Sequence, residues 1–218
     1  GLRFSFLEQA RPEGLAQAFI IGKDFIGSDN VCLILGDNLF FGQGFQPRLQ
    51  KAARHEDGAF IFAYRMNNPQ QYGVVELDVT GKVLTLEEKP KEPRSDYVVP
   101  GLYFYDNQVV EIVKNLVPSE RGELEITDVN LEYLRKNQLH ADLLGRGFAW
   151  LDTGTPETLL EASAFVETIQ KRQGLQIACI EEVAYRMGYI DQGRLRELAF
   201  PMKKNAYGKY LLSLLQKS

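Results

Sequence analysis

The stretch VCLILGDNLFFGQG, from Val31 to Gly44, decides how the chain as a whole is interpreted. Five consecutive apolar residues, Val31 to Leu35, run without alternation into a glycine, Asp37 and Asn38. An unbroken apolar run of this length is typical of a strand that is covered on both faces. Such strands belong to sheets that carry helices on both sides, so this stretch predicts part of a layered α/β domain.

Helix and strand patterns alternate around this run. Residues 12–26 carry apolar side chains at helical spacing, residues 45–58 form a second helix pattern, and residues 59–66 form a second apolar strand. The apolar residues at positions 2, 4 and 6 alternate with polar ones, which predicts an opening half-buried strand. This order predicts an α/β fold with a Rossmann-like mixed, mostly parallel sheet flanked by helices, and we expect further N-terminal strands of that sheet to be missing.

The pattern changes after residue 66. Two strands around a turn at residues 78–82 predict a hairpin, and a short aromatic strand at residues 101–106 leads into further helices. From Thr155 onwards the patterns are helical, with Thr155 placed to cap a helix that has Pro156 in its first turn. We therefore predict an α/β domain over residues 1–154 and a helical C-terminal subdomain over residues 155–218.

The overall composition excludes several classes of function. The net charge of −4 disfavours a general nucleic-acid-binding role, and no apolar run is long enough to span a membrane. Two cysteines and two histidines, scattered along the chain, make neither a disulfide framework nor a zinc site. With 44% hydrophobic and 25% charged residues, the sequence is typical of a globular protein, and we expect a cytoplasmic location.

Two aspartates directly follow predicted strands. Asp37 ends the apolar run that starts at Val31, and Asp152 lies in AWLDTG after a second short strand. Ligands of open α/β sheets bind outside the carboxyl ends of strands, but aspartate is also common where a strand merely turns. Each aspartate alone is open to both interpretations. Together they would suit Mg²⁺, which takes few protein carboxylates and completes its shell with water and substrate phosphates.

Two cationic side chains lie at similar positions. Lys89 follows Glu88 at the end of a predicted strand, and Arg121 precedes a glycine near the start of a predicted helix. A lysine at a strand end can act as a point charge for a phosphate, and an arginine adds a bidentate donor where a helix start attracts anions. A solvated charge run and an exposed loop arginine are the alternative interpretations.

Three other positions could contact a ligand. Gly73, after Tyr72, would allow close approach to the backbone. Tyr103 lies in the aromatic strand, where a tyrosine more often belongs to the core or to a rim. Gln9, three residues before Pro12, carries both a donor and an acceptor that could recognise a nucleobase edge. The sequence contains no P-loop, kinase, metalloprotease or serine-hydrolase motif.

Seven stretches, taken in order, resemble the sugar-phosphate nucleotidylyltransferases. They are QARPEGLAQA (9–18), LGDN (35–38), QYGVV (71–75), LEEKP (86–90), GLYFYD (101–106), RGELEITD (121–128) and WLDTG (150–154). Each stretch is weak evidence alone, whereas the ordered set is specific and covers most of the chain. The stretch EEVAYR (181–186) resembles the thymidylyl-transferring members of the family more than the uridylyl- or adenylyl-transferring ones.

The resemblance implies an enzyme that transfers a thymidylyl group from dTTP to glucose 1-phosphate. The sugar phosphate would attack the α-phosphorus in line, releasing pyrophosphate and giving dTDP-glucose for dTDP-rhamnose and other deoxysugars. Catalysis would consist of positioning and charge neutralisation, without a covalent enzyme intermediate. The implied partners are these small molecules and further copies of the chain, since the family is typically tetrameric, with neither nucleic acid nor membrane.

The resemblance also implies residue roles. The catalytic set would be Asp37, Lys89 and Asp152, with the two aspartates holding Mg²⁺. Gln9 and Gly14 would bind the thymine, and Lys89 and Arg121 would hold the sugar phosphate. The glucose pocket would be lined by Tyr72, Gly73, Glu88 and Tyr103. The full substrate-binding set is Gln9, Pro12, Gly14, Asn38, Tyr72, Gly73, Glu88, Val99, Tyr103 and Arg121. A regulatory nucleotide site near a subunit interface would involve Phe41, Gly42, Glu182, Val183 and Arg186, and would make the helical subdomain a regulatory or interface element.

One part of the family pattern does not occur in this sequence. The family begins with a strand and the loop G-G-x-G-T-R-L-x-P, whose backbone N–H groups cradle the triphosphate, followed by a lysine. Because neither occurs here, we expect the chain alone to be inactive or nearly so. Two alternatives stay open: a uridylyl- or adenylyltransferase acting on the same sugar phosphate, and a non-catalytic sugar-nucleotide-binding protein.

Overall fold

The computed structural model describes residues 2–216. The stretch that begins at Val31 forms two strands, β1 (Val31–Ile34) and β2 (Asn38–Phe41), separated by a turn at residues 36–37. The other strands are β3 (Ala59–Arg65), β4 (Gly73–Leu77), β5 (Val83–Glu88), β6 (Tyr97–Val98), β7 (Leu102–Tyr105), β8 (Leu139–Leu144) and β9 (Ala149–Asp152). The α-helices are α1 (Gln17–Ile21), α2 (Lys23–Ile26), α3 (Phe45–Ala53), α4 (Gln108–Lys114), α5 (Ile126–Arg135), α6 (Pro156–Gln173), α7 (Ile180–Arg186), α8 (Gln192–Ala199) and α9 (Ala206–Leu214).

The main sheet has the strand order β1-β7-β3-β6-β4-β5, and β8 pairs with the other side of β3. Strands β2 and β9 form a separate two-stranded sheet. The predicted hairpin is confirmed as β4 and β5, and its turn is fixed by Asp78, whose Oδ1 accepts hydrogen bonds from the backbone N of Thr80 (2.8 Å) and of Lys82 (2.9 Å).

The mixed α/β class is confirmed, but the prediction of a mostly parallel sheet is wrong. Among the described pairings of the main sheet, β3 with β8 is parallel, and the others are antiparallel. Both β1 and β3 run antiparallel to β7, so they share one direction, as their strand–helix–strand order requires. The sequence pattern predicts that direction, but it does not reveal that β7, which comes later in the chain, lies between them.

The predicted opening strand is also not found. Residues 2–9 have no regular secondary structure, and the side chains at its start are exposed, with Phe4 at 75% and Phe6 at 93%. Alternation of side chains describes only the faces of a strand, whereas a strand also needs a neighbour for its backbone hydrogen bonds. Within residues 2–216, no strand pairs with this segment.

Helices cover both faces of β3. Ala59, Ile61 and Ala63 belong to the larger core cluster, which includes residues of α1, α4 and α5, whereas Phe60 and Phe62 belong to a second cluster with α3. β3 is therefore covered on both faces. The expectation of two covered faces was made for β1, where it is wrong, because the residues of this first strand in the sheet order alternate between half-buried and exposed, and Ile34 is 62% exposed.

Contacts between residues divide the chain into two units, the first ending at Leu151 and the second starting at Asp152. The second unit contains α6 to α9, and its core centres on Cys179, Leu195 and Leu211. The predicted cap of α6 is confirmed, since the Thr155 side chain accepts a hydrogen bond from the backbone N of Thr158 at 3.2 Å. Helix α8 is an element that the sequence patterns did not predict. None of the helices described within residues 2–216 could span a membrane.

Candidate active site

Five of the predicted site residues are held by backbone pairing at the open end of the β4–β5 hairpin. Gly73, the first residue of β4, lies opposite Glu88, the last residue of β5. The backbone N of Lys89 donates to the carbonyl of Tyr72 at 3.1 Å, and the backbone N of Val99 donates to the carbonyl of Gly73 at 2.9 Å. Hydrogen bonds of the main chain thus bring together five residues from Tyr72 to Val99, which lie 27 positions apart in the sequence.

Lys89 has an unusual backbone conformation. Its φ is +43°, one of three positive values among the described non-glycine residues. A side chain in the left-handed region costs energy, and such residues concentrate at functional sites where the surrounding structure enforces them. Here the enforcing contact is the hydrogen bond to Tyr72, and the Lys89 side chain remains 47% exposed, with Nζ 3.9 Å from Glu88 Oε1.

The Glu88 carboxylate is fixed from the neighbouring helix. Thr127 Oγ1, in the first turn of α5, donates to Glu88 Oε2 at 2.5 Å, and Arg121 Nη2 lies 3.4 Å from Glu88 Oε1. Gly73 leaves space for this arrangement, since a Cβ there would lie 2.9 Å from Thr127 Oγ1 and 3.4 Å from Glu88 Oε2. Glu88 is therefore an oriented carboxylate and not part of a freely solvated charge run.

Arg121 is held more tightly still. Its Nη2 donates to both oxygens of Glu125, at 2.8 and 2.9 Å, and its Nε donates to Oε1 at 3.2 Å. The Glu125 side chain is 9% exposed and the Arg121 side chain 42%. These hydrogen bonds to Glu125 are the main reason that the pKa of Arg121 is raised above its usual value, with smaller contributions from the charges of Glu123 and Glu88.

The segment expected to recognise the base is joined to the Arg121 loop. Gln9 Nε2 donates to the carbonyl of Gly14 at 3.0 Å. The backbone N of Leu124 donates to the carbonyl of Glu13 at 2.8 Å, and the Leu124 carbonyl accepts from the N of Ala16 at 3.2 Å. Gly14 permits this contact because its φ is +101° and because a Cβ there would lie 2.4 Å from the backbone of Leu124. Pro12, in the same segment, is exposed.

The two predicted tyrosines differ in burial: Tyr103 lies in the core, whereas Tyr72 is half-buried at the hairpin end. Tyr103 is 4% exposed and stacks on Tyr105 at 6.1 Å, and burial, with the nearby charge of Glu88, raises the pKa of Tyr103 well above its usual range. Tyr72 is half-buried and meets Trp150 edge to face at 5.1 Å. Tyr103 is thus a core residue that borders the hairpin end.

Asp37 lies in the predicted turn and is exposed, and Asn38 fixes that turn. Asn38 Oδ1 accepts hydrogen bonds from the backbone N of Gly101 at 2.9 Å and from Trp150 Nε1 at 2.7 Å. Asn38 Nδ2 donates to Asp37 Oδ1 at 2.8 Å. The turn interpretation is therefore correct for Asp37, and its carboxylate has a fixed neighbour.

Several of the remaining predicted residues, among them Asp152, Glu182 and Val183, lie in the second unit. Asp152 begins the second unit, where its Oδ1 accepts from the backbone N of Gly154 at 2.9 Å. In the same unit, Glu182 accepts hydrogen bonds from Arg186 Nε at 2.7 Å and from the hydroxyl of Tyr210, and Val183 is 55% exposed.

In the first unit, Phe41 ends β2, and Gly42 follows it. A Cβ at Gly42 would lie 2.2 Å from the Phe148 ring.

Sequence reasoning missed two residues that shape the site. Glu125 alternates with apolar neighbours in GELEIT and looks like a solvent-facing charge, and Thr127 looks like an ordinary residue of the first helical turn. The spacing of four between Arg121 and Glu125 was the available signal, but it acquires meaning only once Glu125 is known to be buried.

Within residues 2–216, no group of three or more histidine, cysteine, aspartate or glutamate side chains is arranged to hold a metal ion. A site made of many protein ligands is therefore not found in this part of the chain.

The sequence model of the family described as nucleotidyl transferase matches residues 1–169. The chain belongs to the nucleotidyl transferase family. Members of this family are enzymes that transfer nucleotidyl groups and are in general metal-dependent. Across the whole chain it is 55% identical to a glucose-1-phosphate thymidylyltransferase of Neisseria meningitidis and 54% identical to one of Mycolicibacterium smegmatis. It spans 75% of the length of each of these relatives.

Two solved structures of this nucleotidyl transferase type resemble the chain. A Bacillus anthracis protein assigned as a glucose-1-phosphate thymidylyltransferase, crystallised with sucrose, is 38% identical with a TM-score of 0.65, over 72% of this chain and 62% of that one. A UDP-glucose pyrophosphorylase bound to UDP-glucose is 22% identical with a TM-score of 0.66, over 76% of this chain and 66% of that one. The second similarity concerns the fold alone, and both confirm the nucleotide-diphospho-sugar transferase type of fold.

Proposed function

We propose that the protein transfers a thymidylyl group from dTTP to α-D-glucose 1-phosphate, giving dTDP-glucose and pyrophosphate. The observation that carries the proposal is the sequence identity of 50–55% to glucose-1-phosphate thymidylyltransferases over nearly all of this chain. The geometry at the hairpin end is consistent with that reaction, because it combines oriented cations with a fixed carboxylate and a close backbone. No observation favours UTP, ATP or a purely binding role.

The chemistry assigned to the chain is positioning. Glu88, held by Thr127, would accept hydrogen bonds from glucose hydroxyls beside the Gly73 backbone. Lys89 and Arg121 would bind the phosphate of glucose 1-phosphate and hold its oxygen in line with the α-phosphorus. Fixed donors of this kind neutralise the charge of the pentavalent transition state without having to reorganise.

The segment from Gln9 to Gln17 would bind the thymine. Its amides and carbonyls offer both donors and acceptors, and Gln9 is already oriented by Gly14 and by Gln17 Oε1, which accepts from Gln9 Nε2 at 2.6 Å. Because this segment is hydrogen-bonded to Leu124, base binding and sugar-phosphate binding would act on one connected piece of structure.

Asp37 and Asp152 would hold Mg²⁺. Both are carboxylates, the ligand type that Mg²⁺ prefers, and a pair of them leaves coordination positions for water and substrate phosphates. When bound, the ion would neutralise phosphate charge during transfer. An Asp37→Ala variant should lose Mn²⁺ binding measured by electron paramagnetic resonance as well as turnover, whereas Asp24→Ala, at an exposed position in α2, should retain both. Retention of Mn²⁺ affinity in Asp37→Ala would contradict the metal assignment.

The proposed reaction is tested by measuring turnover of the protein that contains this sequence. Pyrophosphate release and dTDP-glucose formation are measured with glucose 1-phosphate, Mg²⁺ and either dTTP, UTP or ATP. We expect the highest kcat/KM with dTTP and a loss of turnover in Lys89→Ala, with Lys91→Ala as the control at a neighbouring exposed lysine. A higher kcat/KM with UTP or ATP would overturn the nucleotide assignment, and failure to bind dTDP-glucose would overturn the proposal as a whole.

The same proposal includes homotetrameric assembly, a cytoplasmic location and entry of the product into dTDP-rhamnose biosynthesis. It also includes a regulatory nucleotide site that would involve Phe41, Gly42, Glu182, Val183 and Arg186. Light scattering after size-exclusion chromatography tests the assembly. A second dTDP-sugar equivalent bound per chain, lost in Arg186→Ala, would support the regulatory site, and a single equivalent would exclude it.

A further inference from the structure

The carboxylate of Glu125 has the properties of a support for another side chain. It is 9% exposed, and its Oε1 accepts hydrogen bonds from Ser119 Oγ at 2.7 Å and from Arg121, while Oε2 accepts a further bond from Arg121. A buried carboxylate requires such bonds, because an unpaired buried charge is costly. All of its partners described here lie on the loop that carries Arg121.

The contacts also determine which edge of the guanidinium is available. Nε and Nη2 of Arg121 both point to Glu125, so this edge is used by the protein. Within residues 2–216, Nη1 of Arg121 makes no hydrogen bond, and the side chain is 42% exposed. The loop is closed on itself by the hydrogen bond from the N of Gly122 to the Ser119 carbonyl at 2.8 Å, so its backbone leaves Arg121 little freedom.

Charge alone would not make Arg121 a good anion site. Three carboxylates lie near Nη2: Glu125 at 2.8 Å, Glu88 at 3.4 Å and Glu123 at 3.6 Å. The positive charge is therefore compensated before any ligand arrives, and the value of Arg121 to a phosphate lies in the direction of its remaining N–H donors. Direction is what the bidentate contact with Glu125 fixes.

We propose that Glu125 is the positioning residue of the sugar-phosphate end of the site, holding one edge of Arg121 so that Nη1 is presented to the phosphate of glucose 1-phosphate. This inference rests on the proposed function. It assigns Glu125 no contact with the substrate, and it makes Ser119 a secondary support through its hydrogen bond to the same carboxylate.

The test compares two ligands by calorimetry on the protein that carries this chain. dTDP-glucose contains the sugar phosphate, whereas dTMP lacks it. We expect Glu125→Gln to weaken dTDP-glucose binding at least tenfold and to change dTMP binding less than twofold, with partial recovery in Glu125→Asp. Glu123→Gln is the matched control, since it removes an equal charge that lies 3.6 Å from Arg121, and it should not weaken either ligand.

A double-mutant cycle separates positioning from general structural support. In an Arg121→Ala background, Glu125→Gln should weaken dTDP-glucose binding by less than twofold further, because the side chain that it positions is gone. Equal weakening of both ligands, full additivity with Arg121→Ala, or an unchanged affinity in Glu125→Gln would each overturn the inference. If Glu125→Gln does not fold, Ser119→Ala should show a smaller loss for dTDP-glucose alone, and no loss there would also overturn it. Absence of dTDP-glucose binding in the unaltered protein would instead be a failure of the proposed function.

Discussion

Replacing Asn38 by alanine should strongly destabilise the first unit. Asn38 Oδ1 accepts hydrogen bonds from two donors, the backbone N of Gly101 and the indole Nε1 of Trp150. Both donors belong to buried residues, with Trp150 only 5% exposed. Leaving a buried donor without its acceptor costs about 1–3 kcal/mol, so two such donors give a loss of about 2–6 kcal/mol in the free energy of unfolding.

The single tryptophan of the chain makes this prediction easy to measure. Trp150 is one of the two affected donors, and its fluorescence during urea unfolding reports directly on this part of the structure. With an m-value of about 2 kcal/mol per molar urea, in the middle of the usual range, the midpoint should fall by roughly 1–3 M. Asn67→Ala, at an exposed asparagine, is the control and should leave the midpoint in place.

Asn38→Asp gives a sharper comparison. The aspartate keeps oxygen acceptors for both donors, but it loses the N–H that reaches Asp37 and places a second negative charge beside it. Its stability should therefore lie between that of the unaltered protein and that of Asn38→Ala. A midpoint shift below about 0.3 M for Asn38→Ala would refute the reasoning, because it would mean that the two buried donors find other acceptors at almost no cost.

Three further changes have defined outcomes. Gly14→Ala should destabilise the first unit by about 1–3 kcal/mol more than Gly81→Ala in the same urea assay. Both glycines have a positive φ, but only a Cβ at Gly14 would meet backbone atoms, at 2.4 Å. Equal losses of unfolding free energy in the two variants would contradict this prediction. Thr155→Ala should lower the stability of α6 by about 1 kcal/mol, measured by circular dichroism, whereas Thr168→Ala within that helix should not. The pKa of His140 is lowered by burial and by the nearby charges of His55 and Lys51, so as the pH falls the unfolded chain takes up this proton before the folded chain does. The contribution of His140 to the free energy of unfolding should therefore be fully present above about pH 6.5 and be lost as the pH falls through the folded-state pKa. His140→Gln should reduce the dependence of the urea midpoint on pH in this range.

Periodicity predicted the elements well where a side-chain pattern was all that mattered. The hairpin, the aromatic strand and the cap at Thr155 follow from local rules that involve a few neighbouring residues. These features need no knowledge of distant parts of the chain.

Features that depend on distant neighbours were not predictable in this way. The position of β7 between β1 and β3 and the lack of a partner for residues 2–9 are properties of the assembled sheet. The same holds for Glu125: alternation would assign it to solvent, whereas its side chain is 9% exposed and hydrogen-bonded to Ser119 and Arg121. Charged residues that support a site therefore look like surface charge until the fold is known.

The two interpretations of Asp37 turn out to be compatible. A turn former needs only a local backbone bend, whereas a metal ligand needs a carboxylate whose position is fixed before the ion arrives. The turn at Asp37 is fixed by Asn38, which is itself bonded to residues 63 and 112 positions away. If Asp37 holds the ion, as proposed above, Asn38→Ala should weaken Mn²⁺ binding as well as lower the stability of the first unit, because Asn38 fixes the position of both the turn and the carboxylate.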